Sequence, residues 1–521
     1  MRRILRVALV LAAIALIALL ALRQVLRGAH VREAAEARLS ATLGRPVSIG
    51  TLGVSVFPRL AFSGTDVRLG DAAAAAPALA VERILILPRL ASLLRGSVII
   101  ETLDLDGFTV ALLRDADGRW HVPSVMPAPA AGEGGSAVIE RVRVSRGRLR
   151  VFDRPVGGEL RETAAIHDLD ADVTVEASGL RFSPLTGRIG AARITGDARA
   201  DARAVRIEFG AETLADDDVP VLLGLLGSER PDFLGLTESA SLAGVVQVDR
   251  ASRHLSGKGM LHAPAVRFDP LRLRQVNAPF KIDGSRLRFA PMTFEMSGGA
   301  HQGTVTFQVG EGRSPATWAT DSRVSGLDVG DFLATLNGSD QRLDGTAAVN
   351  AALHGRVDEP LAQTVSGRLG MAVTSGVIRR FPLLESINQV LRLAETEGGD
   401  TRFERLTATF AIAAGRATTD DLEMTAGHVR VRAAGRIGAD RSLAMRGIAV
   451  VSPERSARVV ASVRELSGLR NSRGEIELPL TISGTLDEPS FGLDVKGAVG
   501  KGVLDELQRR LRGIIRRKGP G

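Results

Sequence analysis

The chain has 521 residues, a formal net charge of +8, no Cys, no Tyr and two Trp. This length allows two to four ordinary domains or one extended architecture. The lack of Cys excludes disulfides, thiolate nucleophiles and Cys-ligated zinc, and the lack of Tyr disfavours an aromatic platform for single-stranded nucleic acid.

The positive charge is concentrated at the two ends of the chain. Residues 1–45 and residues 496–521 each carry a net charge of +6, so residues 46–495 carry −4. A nucleic-acid-binding protein needs its positive charge along the contact surface, whereas basic termini suit an anionic membrane surface. We therefore expect a membrane, and no nucleic acid, among the partners.

An uninterrupted apolar segment at residues 7–22 opens the chain. With its flanking residues it approaches the ~20 residues that span a bilayer as a helix, so residues 1–27 are predicted to form a transmembrane anchor. A cleaved signal peptide is the alternative, because Ala18 and Ala21 resemble small cleavage-site residues. Arg23 follows at once and favours the anchor. Basic residues flank the segment on both sides, so the charge pattern does not decide its orientation.

Residues 28–126 are predicted to form a β region led by a short helix at residues 30–43. Apolar residues in one of its strands alternate with polar ones and change phase at Gly107, as a bulge or turn would produce: Leu103, Leu105, Phe108 and Val110. A linker rich in Pro, Gly and Ala follows at residues 127–136.

Residues 137–345 are predicted to form a middle β region with a helical insert near residues 219–236. Three Asp at residues 216–218 precede this insert. Acidic residues stabilise a helix N-terminus, which we favour over the alternative of a metal site. A second helical insert is predicted at residues 381–394, where apolar residues recur at helical spacing.

The pattern of residues 405–437 is typical of a β-meander. Apolar residues fall on every second position, with turns expected at residues 414–416 and at Gly427. One face of such a sheet is apolar and the other is solvated. We expect the apolar face to be the working part of the protein.

Three short segments recur in the same order about 130 residues apart, which predicts a duplicated sheet segment. Residues 280–282 match residues 410–412, residues 294–297 match residues 422–425, and residues 355–360 match residues 484–489.

Residues 496–521 are predicted to form a basic amphipathic helix. In one interpretation it lies on an anionic membrane, with these side chains at the surface: Arg509, Arg510, Arg512, Arg516, Arg517 and Lys518. In the other it caps the end of the sheet and its Arg side chains are merely solvated.

Motifs for catalysis or cofactor binding are not found in the sequence. The eight His residues show no metal-ligand spacing, the Gly-rich segment at residues 497–502 lacks the Ser or Thr of a P-loop, and no nucleophile elbow occurs. We expect no enzyme activity, no cofactor and no metal. Two carboxylates meeting across strands, as in a glycosidase, are the alternative.

Four segments resemble the AsmA family of bacterial envelope proteins: residues 41–71, 77–120, 144–153 and 480–494. The resemblance implies an inner-membrane anchor with its N-terminus in the cytoplasm, a periplasmic body and a role in outer-membrane lipid homeostasis. Larger relatives are viewed as bridge-like lipid carriers with a long β-groove. The C-terminal AsmA-like β region is assigned to residues 346–495.

Together these observations predict a mainly β fold: a long twisted antiparallel sheet forming an elongated apolar groove, with an N-terminal transmembrane helix and a few helical inserts. The expected function is to carry acyl chains of phospholipid or another acylated lipid, with outer-membrane or periplasmic proteins as further partners. A scaffold or chaperone for outer-membrane protein assembly is the alternative, and apolar faces packed into a closed sandwich are the structural alternative. The groove candidates are Leu103, Leu105, Phe108, Val110, Phe280, Ile282, Phe294, Met296, Leu406, Phe410, Ile412, Leu422, Met424, Val429 and Val431.

Overall fold

The computed structural model describes residues 29–43, 46–55, 59–70, 79–89, 99–121, 138–154, 159–176, 179–310, 315–337, 343–357, 359, 361–381, 383–391, 399–462, 464–485 and 489–493. These residues form two compact units. Unit 1 comprises the described residues of Met1–Pro264, Pro279–Leu287 and Val309–Ser314. Unit 2 comprises those of Ala265–Ala278, Arg288–Gln308 and Pro315–Gly521. The predicted mainly β fold is confirmed, because strands dominate both units.

Unit 1 begins with helix α1 (Ala29–Leu43) and contains a second helix, α2 (Val219–Leu226), preceded by a 3-10 turn at Asp216–Asp218. Its first strands are β1 (Val47–Ser48), β2 (Thr51–Ser55), β3 (Ala61–Leu69), β4 (Leu79–Pro88), β5 (Ile99–Arg114), β6 (Trp120–His121), β7 (Val138–Ile139) and β8 (Val142–Asp153). The next are β9 (Arg161–Glu176), β10 (Gly179–Ile189), β11 (Ala192–Asp201), β12 (Ala204–Leu214), β13 (Leu234–Leu236) and β14 (Ala240–Asp249).

Three strands contribute residues to both units: β15 (Leu255–Phe268), β16 (Leu271–Asp283) and β17 (Arg286–Met296). The strands of unit 2 continue with β18 (Gly299–Gln308), β19 (Thr317–Asp328), β20 (Leu343–Arg356), β21 (Ser366–Ile378), β22 (Thr401–Ala413), β23 (Arg416–Ala426), β24 (Val429–Ile437), β25 (Ser442–Val451), β26 (Ile476–Thr485) and β27 (Pro489–Leu493). Its helices are α3 (Val329–Asn337), α4 (Leu361–Thr364), α5 (Leu383–Val390), α6 (Pro453–Ser462) and the 3-10 helix Arg464–Leu469.

The sheet of unit 1 is mixed, which corrects the prediction of a wholly antiparallel sheet. Strand β5 pairs antiparallel with β4 but parallel with both β7 and β8. The other strand pairs described in this unit, from β1 to β15, are antiparallel. Alternation of apolar residues fixes which face a side chain occupies but not the direction of the neighbouring strand, so the sequence pattern could not reveal the parallel pair.

A shift in the alternation of apolar residues runs across neighbouring strands of unit 1. Asp66, Gly107, Arg146 and Asp168 all have φ between 50° and 68°, and they lie in β3, β5, β8 and β9. The alternation changes phase at Gly107, as predicted, while the register of β4 with β3 and with β5 is the same on both sides of this position. Between β8 and β9 the register shifts around Gly147, as at a β-bulge, and a bulge bends and twists a sheet.

The curvature brings distant strands of unit 1 together. The backbone N–H of Trp120, in β6, donates to the carbonyl oxygen of Arg253, in the turn between β14 and β15, over 3.1 Å. Val248 and Leu255 of the same hairpin pack on the core cluster that contains Trp120. The sheet between β5 and β15 is therefore curled, with these two margins in contact.

Strands β18 to β27 of unit 2 form consecutive antiparallel pairs. The predicted meander at residues 405–437 corresponds to β22, β23 and β24. Its first turn consists of Ala414 and Gly415, with φ values of 46° and 73°, which is the left-handed backbone of a tight hairpin turn. The core lies on one face of the sheet, where side chains of α5, α6 and the last 3-10 helix join those of the strands.

A module of four strands, a helix and a further strand occurs three times in chain order. The copies are β9–β12 with α2 and β14, β16–β19 with α3 and β20, and β22–β25 with α6 and β26. The first copy also contains the short strand β13 between α2 and β14. The second strand of each copy has Pro184, Pro291 or Asp421 as its sixth residue. Strands β16, β17 and β18 begin 130 residues before β22, β23 and β24, in agreement with the predicted duplication. The first copy has no counterpart among the sequence matches.

Two predicted helical inserts are longer than the helices observed. The first ends at Leu226 because Gly227 adopts a left-handed conformation (φ 78°), and Leu234–Leu236 is a strand. The second is confined to Leu383–Val390 in the described chain. Helices α3, α4 and α6 were not predicted. The predicted anchor (1–27), linker (127–136) and C-terminal helix (496–521) lie outside the described residues, and no helix within the described ranges is long and apolar enough to cross a membrane.

Candidate functional site

A continuous row of apolar side chains crosses the sheet of unit 1. The cross-strand partners from β2 to β15 lie in one register line that we call the Leu103 row: Val54, Phe62, Ile86, Leu103, Val142, Val173, Phe182, Ala198, Ile207, Val246 and Gly257. Cross-strand partners share a face of the sheet. No polar side chain interrupts this line of eleven positions.

A second row runs beside the first. Its members lie two positions along each strand, or three in β10, where the register shifts between Phe182 and Leu185. We call it the Leu105 row: Leu52, Gly64, Ile84, Leu105, Val144, Ala171, Leu185, Gly196, Phe209, Gly244 and Gly259. This row also lacks a polar side chain. Two residues of a strand advance by roughly 6.6 Å, which is the spacing between the two rows.

The rows are packed at their centre, and the Leu103 row is more open at the end that contains Phe62. Val142 and Val173 are 8% and 5% exposed, whereas Phe62 is 38% exposed. Leu103, Leu105 and Phe108 all pack on the buried cluster that contains Val142 and Val173, although the alternation changes phase at Gly107 between Leu105 and Phe108. The rows therefore provide an apolar surface that remains partly accessible.

Phe280 closes one end of the Leu105 row. A Cβ placed on Gly259 would lie 2.5 Å from its ring, and one placed on Gly244 would lie 3.2 Å from it. The ring thus occupies the space that these two glycines leave. Phe280 and Ile282 are 9% and 6% exposed, so these two predicted groove residues are mostly buried.

The opposite face of the strands carries charged pairs. Arg146 donates to both carboxylate oxygens of Asp106, over 2.6 and 2.8 Å, and this guanidinium, opposed in part by desolvation, holds the pKa of Asp106 below its usual range. Arg150 likewise bonds Glu162 and lowers the pKa of that carboxyl. Exposed pairs of this kind keep one face in water while the other remains apolar.

Unit 2 also has register rows on its apolar face. The Ile412 row consists of Val305, Thr320, Leu353, Gly367, Ile412, Ala417, Ile437, Leu443 and Gly484. The Phe410 row beside it consists of Gly303, Ser322, Ala351, Leu369 and Phe410. Thr320 and Ser322 are the polar members, and both belong to β19.

The helices of unit 2 cover only part of this face. In the row that contains Val373 and Leu478 both of these side chains are fully buried. Ile412 and Phe410, several positions farther along β22, are half-buried. The alternative of apolar faces packed into a closed sandwich therefore applies to the part of this face that the helices cover. The remaining strip of the face is partly open.

Apart from Phe280 and Ile282, described above, the predicted groove residues divide into three groups. Leu103, Leu105, Phe108 and Val110 lie on the partly accessible face of unit 1. Six others are half-buried in unit 2: Phe294, Met296, Leu406, Phe410, Ile412 and Leu422. Met424, Val429 and Val431 are 3%, 1% and 2% exposed and belong to the core. The predicted membrane-surface residues Arg509, Arg510, Arg512, Arg516, Arg517 and Lys518 lie outside the described chain.

Sequence reasoning missed most of the members that complete the rows. Val173, Phe182, Ile207 and Phe209 were not predicted as groove residues, because the register between strands is not visible in one sequence. Within the described ranges no group of three His, Asp or Glu side chains is arranged to hold a metal ion.

The fold and its rows define a mainly β protein whose extended sheets carry continuous apolar lines on one face. The AsmA family model matches residues 1–131. This match supports the assignment of the chain to the AsmA family and confirms the resemblance predicted from its sequence. No curated protein and no solved structure matches the chain. The match to this family over residues 1–131 suggests a role in the biogenesis of the bacterial envelope.

Proposed function

We propose that this protein is held in the inner membrane by residues 1–27 and carries phospholipid acyl chains along its apolar rows in the periplasm, as part of outer-membrane biogenesis. The observation that carries the proposal is the absence of a polar side chain from the twenty-two positions of the Leu103 and Leu105 rows. An acyl chain lying along these rows runs perpendicular to the strands, across a surface of constant chemistry.

The energetics favour such a surface. Exposing a sixteen-carbon acyl chain to water costs roughly 13 kcal/mol, at 0.8 kcal/mol for each CH₂. Ten inter-strand steps give the Leu103 row a path of about 48 Å, which exceeds the length of such a chain. A lipid tail can therefore shift by one strand spacing and keep apolar contacts, and this movement needs no catalytic residue.

The anchor and the periplasmic location of the body rest on the apolar segment at residues 7–22 and on the family match to residues 1–131. The elongated groove of the sequence prediction is part of this proposal. Two features support a groove, and each belongs to one unit alone: the curled sheet of unit 1 and the partly open strip of unit 2.

Photo-crosslinking tests the proposal. Benzoyl-phenylalanine replaces Phe182 on the Leu103 row and Phe410 in unit 2, with Arg181 and Thr409 as matched controls, because these neighbours lie on the opposite face and are exposed. We expect crosslinks to phospholipid at Phe182 and Phe410 and none at the controls. Crosslinks to polypeptide at the row positions would instead favour the scaffold or chaperone alternative.

A transfer assay between vesicles gives a second test. Ile207→Asp places a charge in the Leu103 row and is expected to reduce lipid transfer at least tenfold, whereas Arg206→Asp on the exposed face should leave it unchanged. Equal transfer by the two variants, both folded by circular dichroism, would contradict the proposal.

A further inference from the structure

Two register rows on the apolar face of unit 2 differ from the rows of unit 1 at one strand. The Ile412 and Phe410 rows each contain a single polar side chain, Thr320 and Ser322, and both lie on β19. Their hydroxyl oxygens are 2.5 Å apart. Two neighbouring hydroxyls thus interrupt two neighbouring apolar rows at the same place.

The hydroxyl pair is left with free acceptors. Thr320 Oγ1 donates to the carbonyl oxygen of Thr304 over 3.2 Å. The proton between the two hydroxyls therefore comes from Ser322, and Ser322 Oγ keeps unused lone pairs. Gly303 lies directly across from Ser322 and has no side chain to cover it. A Cβ at Gly303 would lie 2.5 Å from Ser322 Oγ.

Two unpaired nitrogens border this pair. His301 lies two positions from Gly303 on the same face and is 7% exposed. One of its ring nitrogens bonds the backbone of Met292, and Nδ1 has no partner. Desolvation lowers the pKa of His301, so the ring is neutral and Nδ1 is a hydrogen-bond acceptor. On the other side, Trp318 Nε1 is a donor without a partner.

The chemistry of the ligand follows from these groups. Ser322 Oγ and His301 Nδ1 need a donor, and Trp318 Nε1–H needs an acceptor; a hydroxyl group is both. The face positions of β18, β19 and β20 carry no formal charge at neutral pH, so a phosphate or an ammonium would lose its hydration without gaining a counter-ion. Aromatic rings lie on the same strands, since Phe294 stacks on His301, and Phe307, the cross-strand partner of Trp318, meets Phe289 edge to face.

We propose that Thr320 and Ser322, with His301 beside them, bind the hydroxyl groups of a lipid headgroup, such as glycerol, in unit 2. This inference rests on the proposed function, because the acyl chains bring the headgroup to the face. It makes the protein selective: a lipid whose headgroup carries uncharged hydroxyl groups is held at β19, and one whose headgroup lacks them is not.

Short-chain lipids below their micellar concentration test this selectivity. The Trp120→Phe variant leaves Trp318 as the single indole of the chain, so its fluorescence reports binding beside the hydroxyl pair. We expect dihexanoyl-phosphatidylglycerol to bind about tenfold more tightly than dihexanoyl-phosphatidylcholine, which has no headgroup donor. Dihexanoyl-phosphatidylethanolamine should bind more weakly than the glycerol lipid, and glycerol alone at the same concentration should give no response.

Matched variants test whether the hydroxyl pair itself determines the ratio of the affinities for the glycerol and choline lipids. The double variant Thr320→Val and Ser322→Ala should bring the ratio of the two affinities close to one. The control Thr317→Val with Ser325→Ala removes the same groups from the exposed face of the same strand and should leave the ratio unchanged.

Four results would each overturn the inference and leave the proposed function intact. They are equal affinities for the glycerol and choline lipids, tighter binding of the ethanolamine lipid, an unchanged affinity ratio in the double variant, and a response to glycerol alone. Absence of binding by every lipid, in protein that is folded by circular dichroism, would overturn both.

Discussion

The backbone N–H of Trp120 is hydrogen-bonded to the carbonyl oxygen of Arg253, which joins the short strand β6 to the turn between β14 and β15. This bond closes the curled sheet of unit 1 at a point where several other interactions meet. The guanidinium of Arg114 lies 5.5 Å from the centre of the Trp120 ring and donates to the carboxylate of Asp153. Arg114 also lies against Gly227, where helix α2 ends.

Replacement of Arg114 should therefore weaken unit 1. Arg114 is 9% exposed, and Arg114→Met leaves Asp153 without its partner, at a cost of about 2–3 kcal/mol, less than for a fully buried pair because the Asp153 side chain is 27% exposed. Urea denaturation measures the loss. The control Arg143→Met breaks an exposed pair with Asp172 and should cost less than about 1 kcal/mol. Equal effects of the two variants would show that Arg114 does not hold the curl.

Two glycines of unit 1 should respond oppositely to alanine. A Cβ at Gly259 would meet both the carbonyl oxygen of Ala243, at 2.3 Å, and the ring of Phe280, so Gly259→Ala should lower the free energy of unfolding by about 1–3 kcal/mol. At Gly210 a Cβ meets nothing within 4 Å. Gly210→Ala should be neutral or stabilising by up to about 1 kcal/mol, since it restricts the unfolded chain. Thermal denaturation of both variants checks the difference, and a stable Gly259→Ala protein would contradict the position of Phe280.

A buried hydroxyl should be important for helix α6. Ser456 is fully buried, donates to the carbonyl oxygen of Val451 over 3.1 Å and accepts from the N–H of Ile476 over 2.9 Å. Ser456→Ala leaves two backbone groups unpaired and should cost about 1–3 kcal/mol in urea denaturation. In the same helix, Ser462 is exposed, and Ser462→Ala should change stability by less than about 0.5 kcal/mol because alanine favours the helix. A mild effect at Ser456 would mean that its two partners find water instead.

The stability of the protein should depend on pH through His301. Desolvation lowers the pKa of this histidine in the folded state, whereas in the unfolded chain it titrates near pH 6.5. Below that pH the unfolded state takes up a proton that the folded state does not, so the free energy of unfolding falls as the pH drops from about 6.5 towards the folded pKa. We expect His301→Phe, which can keep the ring stack with Phe294, to lose less stability than the natural chain between pH 7.5 and pH 5. Identical losses, measured as urea midpoints, would argue against a buried neutral imidazole.

Patterns within one strand were readable from the sequence, and relations between strands were not. The period-two alternation around Phe410 and the phase change at Gly107 predicted the local structure correctly, because both depend on neighbouring residues alone. The parallel pairing of β5 with β8 and the contact of Trp120 with Arg253 depend on long-range geometry, which no local pattern encodes.

The candidate site shows the same division. Single groove residues such as Leu103 and Ile412 were predicted from their alternation, but the rows that include them need the register of every strand between. The β19 hydroxyls were missed because Thr320 and Ser322 are ordinary strand residues until their cross-strand partners are known. Helix α6 was missed because its ten residues begin at Pro453 in a polar context, so its apolar stripe is short.

The threefold module has a consequence for how proteins of this kind change in size. The 130-residue period from the start of β16 to the start of β22 contains six strands, so one tandem duplication of its coding sequence adds about 29 Å of sheet. The new segment brings its own helix and its own rows, already matched to the old ones. The length of the sheet can therefore change by one whole module at a time. A specialised strand such as β19 can diverge in one copy while the other copies stay the same.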